Sequence, residues 1–381
     1  MIPRFLQDRI SKRIKSNKVI MLYGARRVGK TVLLKELIKD FKGKSLVLNG
    51  EDYDAKLLLE EKSISNYRTL LQGIEILVID EAQNISDIGQ KLKLIVDEIP
   101  GIKVIASGSS SFDLKNHAGE PLVGRSMTYQ LFPFSQEELN AYENILQTRQ
   151  NLESRLICGS YPEPAFFSSF DEKREYLQEM VNAYLLKDIL SIDGLRNSGK
   201  MKDLLQLIAF QIGTEVSLDE IGRQLGMSKG TVEKYLDLLS KVFIIFRLKG
   251  FSRNLRKEIS KGSKWYFVDT GIRNAIIGNF APLSMRNDTG LLWENYLLSE
   301  RIKMNNNRGL NKAHYFWRTY DGQEIDLIEV SGDEIHAFEC NWGKGTSKIP
   351  IAFSKGYPDV PFQVINRDNY LDFILSADIQ K

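Results

Sequence analysis

Short apolar runs alternate with helical patterns along the first third of the chain. Five of these runs have the length and content of buried strands, namely KVIMLYG, KSLVLNG, EILVID, IKVIASGS and SMTYQLFPFS. Between them, GKTVLLKELIKDF and IGQKLKLIVDEI carry apolar residues at the spacing of one helix face. Strands that are apolar throughout and alternate with helices predict an α/β fold with a parallel sheet.

The pattern changes twice further along the chain. From about residue 135 to 280 it is mostly helical, and beyond that it mixes a helix with strands, as in LLWENYLLSERI, AHYFWRTY, QEIDLIEV and EIHAFECNW. A chain of 381 residues is also too long for one core. We therefore expect three domains over residues 1–190, 191–280 and 281–381.

A phosphate-binding loop is predicted where the first strand meets the following helix. Gly24, Gly29, Lys30 and Thr31 satisfy G-x-x-x-x-G-K-[ST], and the motif has the strand before it and the helix after it that its function requires. The glycines let backbone N–H groups turn toward phosphate oxygens, the lysine reaches the β- and γ-phosphates, and the threonine hydroxyl can ligate Mg²⁺. We expect the nucleotide to contact Gly24, Arg26, Arg27, Val28, Gly29, Lys30, Thr31 and Val32. For one of the two arginines a solvated position is an equal alternative.

A second element predicts hydrolysis. In ILVIDEAQ, four apolar residues lead to Asp80, which would hold Mg²⁺ directly or through water, and to Glu81, which would act as general base on the attacking water. The next strand ends in a polar cluster, where Ser107 or Ser109 could orient that water; a plain loop is the alternative. Arg125 is the candidate for neutralising charge on the transferred phosphoryl group, in the same chain or across a subunit interface.

The order of these segments resembles a prokaryotic family of AAA-type ATPases. The matching segments are LYGARRVGKTVLLKEL, VIDEAQNI, VIASGSSSF, LVGRSMTYQLFPFSQEEL and GSYPEP, and the resemblance extends over nearly the whole chain. Proteins of that family join a phosphate-loop domain to a winged helix and a C-terminal nuclease-like domain. The resemblance implies an AAA-like sheet order and Mg-ATP as ligand. By position, it implies that Gly29, Lys30 and Thr31 bind phosphate and metal, and that Asp80 and Glu81 serve metal and water.

A helix-turn-helix is predicted in SLDEIGRQLGMSKGTVEKYLDLL, with Gly226 in the turn, Ser228 as cap and a winged hairpin following in VFIIFRLKGF. Lys229, Thr231 and Lys234 open the second helix and could meet DNA. A basic run extends this surface and comprises Arg247, Lys249, Arg253, Arg256, Lys257, Lys261 and Lys264. A winged helix that binds protein is the equal alternative.

Three carboxylates near the C-terminus resemble the core of restriction-endonuclease-like proteins. Glu294, Asp326 and Glu339 match an E…D…E-x-K pattern, in which the acids bind Mg²⁺ and the lysine activates water. Here Asn341 stands at the lysine position, and an amide can neither carry that charge nor act as a base. Lys344 is a speculative substitute. We therefore expect this domain to be degenerate, with a vestigial site.

Composition refines this interpretation only slightly. The net charge of +3 excludes a basic field over the whole protein and leaves room for a local patch. Cys158 and Cys340 lie far apart, which argues against a disulfide framework and fits a reducing cytosol. The N-terminal stretch reads as an amphipathic helix, and no apolar run approaches 18 residues, so we expect a cytoplasmic protein without a membrane partner. An arginine acting across an interface would require a homo-oligomer.

The sequence therefore predicts an ATPase. In the favoured hypothesis, Mg-dependent ATP binding and hydrolysis drives a conformational switch that acts on nucleic acid or on a protein partner. The rival hypothesis is a metal-dependent nuclease that ATP regulates. A third is a module that holds nucleotide without turnover.

Overall fold

The structure is a computed structural model that describes residues 2–15, 17–39, 41–109, 122–185, 198–252, 262–343 and 347–376. The chain divides into two compact units. The first consists mainly of Met1–Pro133, and the second mainly of Phe134–Lys187, Arg196–Ser240 and Ile244–Lys381. Within the described ranges, no helix has the length and apolar character needed to cross a membrane.

Five parallel strands form the sheet of the first unit, in the order β2-β3-β4-β1-β5. They are β1 (Val19–Tyr23), β2 (Ser45–Asn49), β3 (Ile76–Asp80), β4 (Lys103–Gly108) and β5 (Ser126–Gln130). Every residue of β1 and β3 is buried, as expected of strands covered on both faces. The predicted parallel α/β sheet is confirmed. Because β4 lies between β1 and β3, its carboxyl end lies between the predicted phosphate loop and the acid pair.

Helices follow the strands of this sheet as the apolar spacing predicted. The described helices of the first unit are α1 (Phe5–Ser11), α2 (Lys30–Lys39), α3 (Tyr53–Leu58), α4 (Ile64–Leu70) and α5 (Ile88–Glu98). The N-terminal helix α1 is amphipathic and buries Leu6 and Ile10. In α5, Ile88, Leu92 and Ile95 enter the core because they recur on one helix face. A 3₁₀ turn at Ala82–Asn84 follows β3.

The second unit is rich in helices. They are α6 (Gln136–Leu139), α7 (Ile145–Cys158), α8 (Pro162–Ala165), α9 (Phe170–Glu179), α10 (Ser198–Phe210), α11 (Leu218–Leu225), α12 (Lys229–Lys241), α13 (Thr270–Ile277), α14 (Thr289–Arg308), α15 (Ile351–Gly356) and α16 (Tyr370–Leu375). A π-helical segment, Met180–Leu185, continues α9, and Leu283–Met285 forms a 3₁₀ turn.

The helix pair α11–α12 forms where the sequence pattern predicted it. Gly226 ends α11 in the left-handed conformation, with φ of 59°. The Ser228 hydroxyl accepts a hydrogen bond from the Thr231 N–H at 3.2 Å, which makes it the cap of α12. Ile221 of α11 and Leu236 of α12 are buried, so each helix turns its apolar face inward.

A six-stranded sheet in the second unit has the order β11-β10-β9-β8-β6-β7. Its strands are β6 (Ile245–Gly250), β7 (Ser263–Phe267), β8 (Ala313–Arg318), β9 (Glu324–Ser331), β10 (Glu334–Cys340) and β11 (Phe362–Ile365). The strands β6 and β7 pair antiparallel. Of the two, only β6 lies in the segment predicted to form a winged hairpin, and the winged helix stays a prediction. The strand β6 also pairs in parallel with β8, so both strands belong to the C-terminal sheet.

The GSYPEP segment has a structural role within the second unit. The Ser160 N–H donates to Asp269 Oδ2 at 2.7 Å, while Asp269 Oδ1 accepts from the N–H groups of Gly271 and Ile272 and so caps α13. Gly159 has a φ of 69°, and a Cβ there would lie 1.9 Å from Asp269 Oδ1. A glycine is therefore required for this close approach.

Candidate active site

The predicted phosphate loop connects β1 to α2. Gly29 has a φ of +96°, and a Cβ at Gly24 would lie 2.3 Å from the carbonyl oxygen of Leu131, so both positions require glycine. Lys30 begins α2 and is only 5% exposed. Its Nζ donates to the carbonyl oxygens of Gly24 and Ala25 at 3.0 and 3.1 Å. The ammonium group thus lies inside the loop, at the N-terminal end of a ten-residue helix.

The loop meets the acid strand through one side chain. The Thr31 hydroxyl donates to Asp80 Oδ2 at 2.6 Å, across 49 residues of sequence. The Ser107 hydroxyl, at the end of β4, donates a short hydrogen bond to Asp80 Oδ1. The structure therefore brings together Thr31, Asp80 and Ser107, which the sequence predicted to contact metal or water. The hydroxyls of Thr31 and Ser107 both donate to the Asp80 carboxylate.

Glu81 follows Asp80 in an unusual conformation. Its backbone is left-handed, with φ of 49° and ψ of 42°, which is uncommon for a residue with a side chain. The Glu81 N–H points at Asp80 Oδ1 and Ser107 Oγ, at 3.1 and 3.3 Å. The Gln83 amide donates to Glu81 Oε2 at 2.5 Å and fixes the carboxylate. Sequence reasoning gave Gln83 no role, although it stands two residues after the acid pair.

Arg4 also contacts the phosphate loop, and the sequence analysis missed it. Its Nη1 donates to the carbonyl oxygen of Val28 at 2.8 Å, and its Nη2 donates to that of Phe132 at 2.5 Å. The guanidinium group therefore ties the loop, just before Gly29, to the segment that follows β5. Nothing in the local pattern singles out Arg4, because these partners lie 24 and 128 residues away.

The remaining loop residues differ in exposure. Val28 is fully buried and anchors the loop, whereas Val32 is 43% exposed on α2. Arg26 and Arg27 are both exposed. Ser109, the alternative to Ser107, is buried just beyond β4. Ser107 contacts both residues of the acid pair.

Arg125 lies elsewhere in the first unit. Its carbonyl oxygen accepts from the N–H of Val19, the first residue of β1, at 2.8 Å. In a parallel sheet this is the amino-terminal edge, opposite the edge that carries Lys30 and Asp80. The Arg125 Nε pairs with Asp97 Oδ1 at 2.6 Å. The structure thus does not bring Arg125 to the loop of its own chain, and only the role across a subunit interface stays a prediction.

The donor groups at this site fit Mg-ATP. A threonine hydroxyl and an aspartate carboxylate in contact are oxygen ligands of the kind that Mg²⁺ binds. A buried ammonium at a helix N-terminus, beside a glycine with no room for a Cβ, suits a phosphate chain. Lys30 and Thr31 would hold phosphate and metal, and Asp80 would complete the metal site.

A second set of acids surrounds Lys264 in the C-terminal sheet. Glu294 of α14 is buried, and its Oε1 accepts from the Tyr266 hydroxyl at 2.5 Å. Asp326 Oδ2 accepts from the Cys340 N–H at 2.8 Å. Burial, and next the charge of Asp326, raises the pKa of Glu294 and that of Glu339 to about 8. The three predicted carboxylates are thus electrostatically coupled.

The metal implied by a nuclease-like core does not fit this cluster. Among the described residues, no three histidine, cysteine, aspartate or glutamate side chains are grouped so that they could hold a metal ion. Asn341 turns its Oδ1 to the N–H of Gly343 at 2.8 Å. Lys344 lies outside the described residues. The nuclease-like assignment stays a prediction without structural support.

The predicted nucleic-acid surface is only partly visible. Lys229 at the start of α12 pairs with Asp219 at 3.0 Å, and both side chains are exposed. Four basic residues of the run, Arg253, Arg256, Lys257 and Lys261, lie outside the described residues. The prediction that Lys264 belongs to a phosphate-binding surface is wrong, because its side chain is 2% exposed and faces acids.

Comparison with known protein families divides the chain into three parts. Residues 16–140 match an AAA domain, residues 149–283 match a domain of unknown function, DUF8612, and residues 289–369 match another, DUF4143. The first match covers both the phosphate loop and the acid pair. It supports an AAA-type ATPase and leaves the target of that ATPase open.

Relatives extend over most of the chain. An uncharacterized protein of Mycobacterium tuberculosis is 24% identical over 330 residues, which cover 85% of this chain and 70% of the relative. An uncharacterized protein of Methanocaldococcus jannaschii is 25% identical over 375 residues, covering 92% and 81%. One of Haemophilus influenzae is 25% identical over 344 residues, covering 83% and 80%.

Similarity to solved structures is remote. The STAND protein with a tetratricopeptide repeat sensor from Pyrococcus horikoshii aligns with a TM-score of 0.32 and 14% identity, over 82% of this chain and 48% of that one. The chain thus spans about half the length of that protein. A RuvB variant of Thermotoga maritima aligns with a TM-score of 0.31 and 13% identity, over 67% and 91%. Likeness this weak carries no conclusion about activity.

Proposed function

We propose that the first unit binds Mg-ATP and hydrolyses it, and that this cycle switches the conformation of the protein. The observation that carries the proposal is the contact of Thr31 Oγ1 with Asp80 Oδ2 at 2.6 Å. It joins the phosphate loop to the acid strand at the point where phosphate and metal would meet. The AAA match over residues 16–140 supports the same assignment.

The side chains of the site have distinct tasks in this proposal. Bound Mg-ATP supplies the reactive γ-phosphoryl group and the cation that offsets its charge. Lys30 exchanges its two carbonyl acceptors for phosphate oxygens, and the hydroxyl of Thr31 and the carboxylate of Asp80 hold the metal. Glu81, whose carboxylate Gln83 fixes, orients water and accepts its proton. The Ser107 hydroxyl donates to Asp80 and accepts from the Glu81 N–H, and so it fixes the positions of these two residues relative to each other.

Turnover of ATP by matched variants tests this assignment. Lys30→Ala should lower both nucleotide affinity and hydrolysis, whereas Glu81→Gln should keep affinity and lower hydrolysis by on the order of a hundredfold or more. Lys35→Ala, an exposed change on the same helix, is the control and should leave both unchanged. Unaltered ATP turnover in both Lys30→Ala and Glu81→Gln would contradict the ATPase roles assigned to these residues. Binding without turnover in the wild type would favour the module that only holds nucleotide.

We further propose that the switch acts on nucleic acid or on a protein partner through the second unit. The helix pair α11–α12 with its capped second helix supports this proposal, and the exposed Lys234 extends its polar face. ATP hydrolysis measured with and without duplex DNA tests the nucleic-acid alternative, since a coupled switch should change rate on DNA. If DNA neither changes the rate nor binds at low salt, the nucleic-acid alternative is excluded and the protein-partner alternative remains.

The rival hypothesis, a nuclease regulated by ATP, has its own outcome in that experiment. DNA cut in the presence of Mg²⁺ or Mn²⁺, and left intact by Asp326→Ala, would support it. The arrangement of Glu294, Asp326 and Glu339 does not favour that result, because no three histidine, cysteine, aspartate or glutamate side chains of the described residues are grouped so that they could hold a metal ion.

A further inference from the structure

Lys264 is a buried cation that the sequence placed among surface lysines. It lies on β7, where all five residues are buried, and its side chain is 2% exposed. A lysine almost never occupies such a position unless it is paired. Its neighbours on the strand, Ser263 and Trp265, are buried as well.

The partners of Lys264 are the acids that were predicted to bind metal. Its Nζ lies 3.6 Å from Glu294 Oε1 and makes a short hydrogen bond to Glu324 Oε1. The same ammonium group lies 5.4 Å from the centre of the Phe316 ring, a distance typical of a cation–π contact. Arg318 approaches Glu324 Oε2 from the solvent side at 3.6 Å, with 41% of its side chain exposed.

Four acidic side chains interact electrostatically with this lysine, namely Glu294, Glu324, Asp326 and Glu339. Glu294 and Glu339 each interact electrostatically with Asp326, Glu324 and Lys264. Burial lowers the pKa of Lys264, but the charges of Glu294, Asp326 and Glu324 more than offset this, and its pKa lies above the usual value. The lysine therefore stays protonated, and it is the cation that these acids face.

We propose that the Lys264 ammonium is the resident cation of this cluster and takes the place that a divalent metal has in a nuclease-like core. With Lys264 in place, no three of these acids are grouped so that they could hold a metal ion. A metal would have to displace the ammonium group, which hydrogen-bonds Glu324, and the acids would have to close around the metal instead.

Mn²⁺ binding to the full-length protein without nucleotide tests the proposal. Every variant carries Asp80→Asn, so that the phosphate-loop site contributes no metal. Lys264→Met keeps the length of the side chain and removes its charge. Lys249→Met, an exposed change on the neighbouring strand β6, is the matched control. Adding Asp326→Asn to Lys264→Met shows whether any new site uses the cluster.

The expected result is a gain of binding. Lys264→Met should bind about one additional Mn²⁺ at least tenfold more tightly than its parent, Mn²⁺ should raise its unfolding temperature, and Asp326→Asn should remove both effects. The parent and Lys249→Met should show neither. Tight Mn²⁺ binding by the parent that Asp326→Asn abolishes would overturn the proposal, as would a folded Lys264→Met without any gain. If that variant fails to fold, Lys264→Gln, which is polar and neutral, takes its place. These outcomes do not depend on whether the protein hydrolyses ATP.

Discussion

Acidic side chains end up in two different environments in this protein. In the first unit, the hydroxyls of Thr31 and Ser107 donate to Asp80. In the second, Glu294 and Glu324 face the ammonium group of Lys264. A hydroxyl satisfies a carboxylate oxygen without cancelling its charge, so Asp80 keeps its attraction for a cation. An ammonium group does cancel charge. A strand-end acid is therefore informative about metal chemistry only once its partner is known.

The largest expected difference between the two sites concerns ATP turnover. Asp80→Asn keeps the shape of the side chain but removes the charge that holds Mg²⁺, so hydrolysis should fall by on the order of a hundredfold or more. Asp326→Asn, the same change in the other cluster, should leave the rate unchanged. Steady-state hydrolysis at saturating Mg-ATP measures both. Equal losses would show that the two clusters do not differ as proposed.

The second prediction concerns the stability of the acid cluster against pH. Because burial and Asp326 raise the pKa of Glu294 from 4.5 to about 8, the folded protein binds this proton more tightly than the unfolded chain. The free energy of unfolding should therefore fall as pH rises from 4.5 to 8, with a slope of at most about 1.4 kcal/mol per pH unit for this group.

Glu294→Gln isolates that contribution. The amide Oε1 can still accept from Tyr266, but it carries no titrating proton, so the slope between pH 4.5 and 8 should become shallower. Urea unfolding at several pH values measures it. Glu339, whose pKa is raised to about 8 as well, should leave a residual slope. An unchanged slope in the variant would contradict the raised pKa of Glu294.

A third, smaller effect is expected at Arg4. Arg4→Ala removes two charge-assisted hydrogen bonds, to Val28 and Phe132, and so loosens the phosphate loop. Nucleotide affinity should fall on the order of tenfold, with the rate at saturating ATP less affected. Lys12→Ala, an exposed change just after α1, is the control. A loss in maximal rate alone would argue against a positioning role.

The smallest effect belongs to an exposed ion pair. Lys229 and Asp219 retain 59% and 65% of their side-chain exposure, in contrast to the buried Lys264. Lys229→Ala should therefore change the free energy of unfolding by less than about 0.5 kcal/mol. If α12 meets DNA, the same change should weaken binding equally for all sequences, which a titration against two unrelated duplexes would show.

Much of the first unit could be predicted because its information is local. The strands β1 and β3 are continuous apolar runs, and the loop from Gly24 to Thr31 carries its own motif. The order of the strands places Ser107 between the two motifs, as its position at the end of β4 suggested. Gln83 could have been proposed from its place beside the acid pair, because it follows Glu81 by two residues.

The missed features depend on partners far away in sequence. Lys264 looked like one more member of a basic run, since the acids that enclose it come from α14 and β9. The parallel pairing of β6 with β8 joins a predicted wing to the C-terminal sheet, and no local pattern encodes such a contact. Arg125 meets Asp97 on α5, so its distance from the phosphate loop became visible only in the fold. The domain boundaries stay a prediction.

The two hydrogen bonds that Arg4 donates to Val28 and Phe132 have a consequence for protein synthesis. The sequence motif of the phosphate loop is complete once Thr31 has been added to the growing chain. The loop can reach its final conformation, however, only after Phe132 has been synthesised, 128 residues after Arg4. We therefore expect a ribosome-bound chain that ends before β5 to bind ATP poorly despite its intact motif. Tight ATP binding would then begin only when synthesis of the first unit is complete.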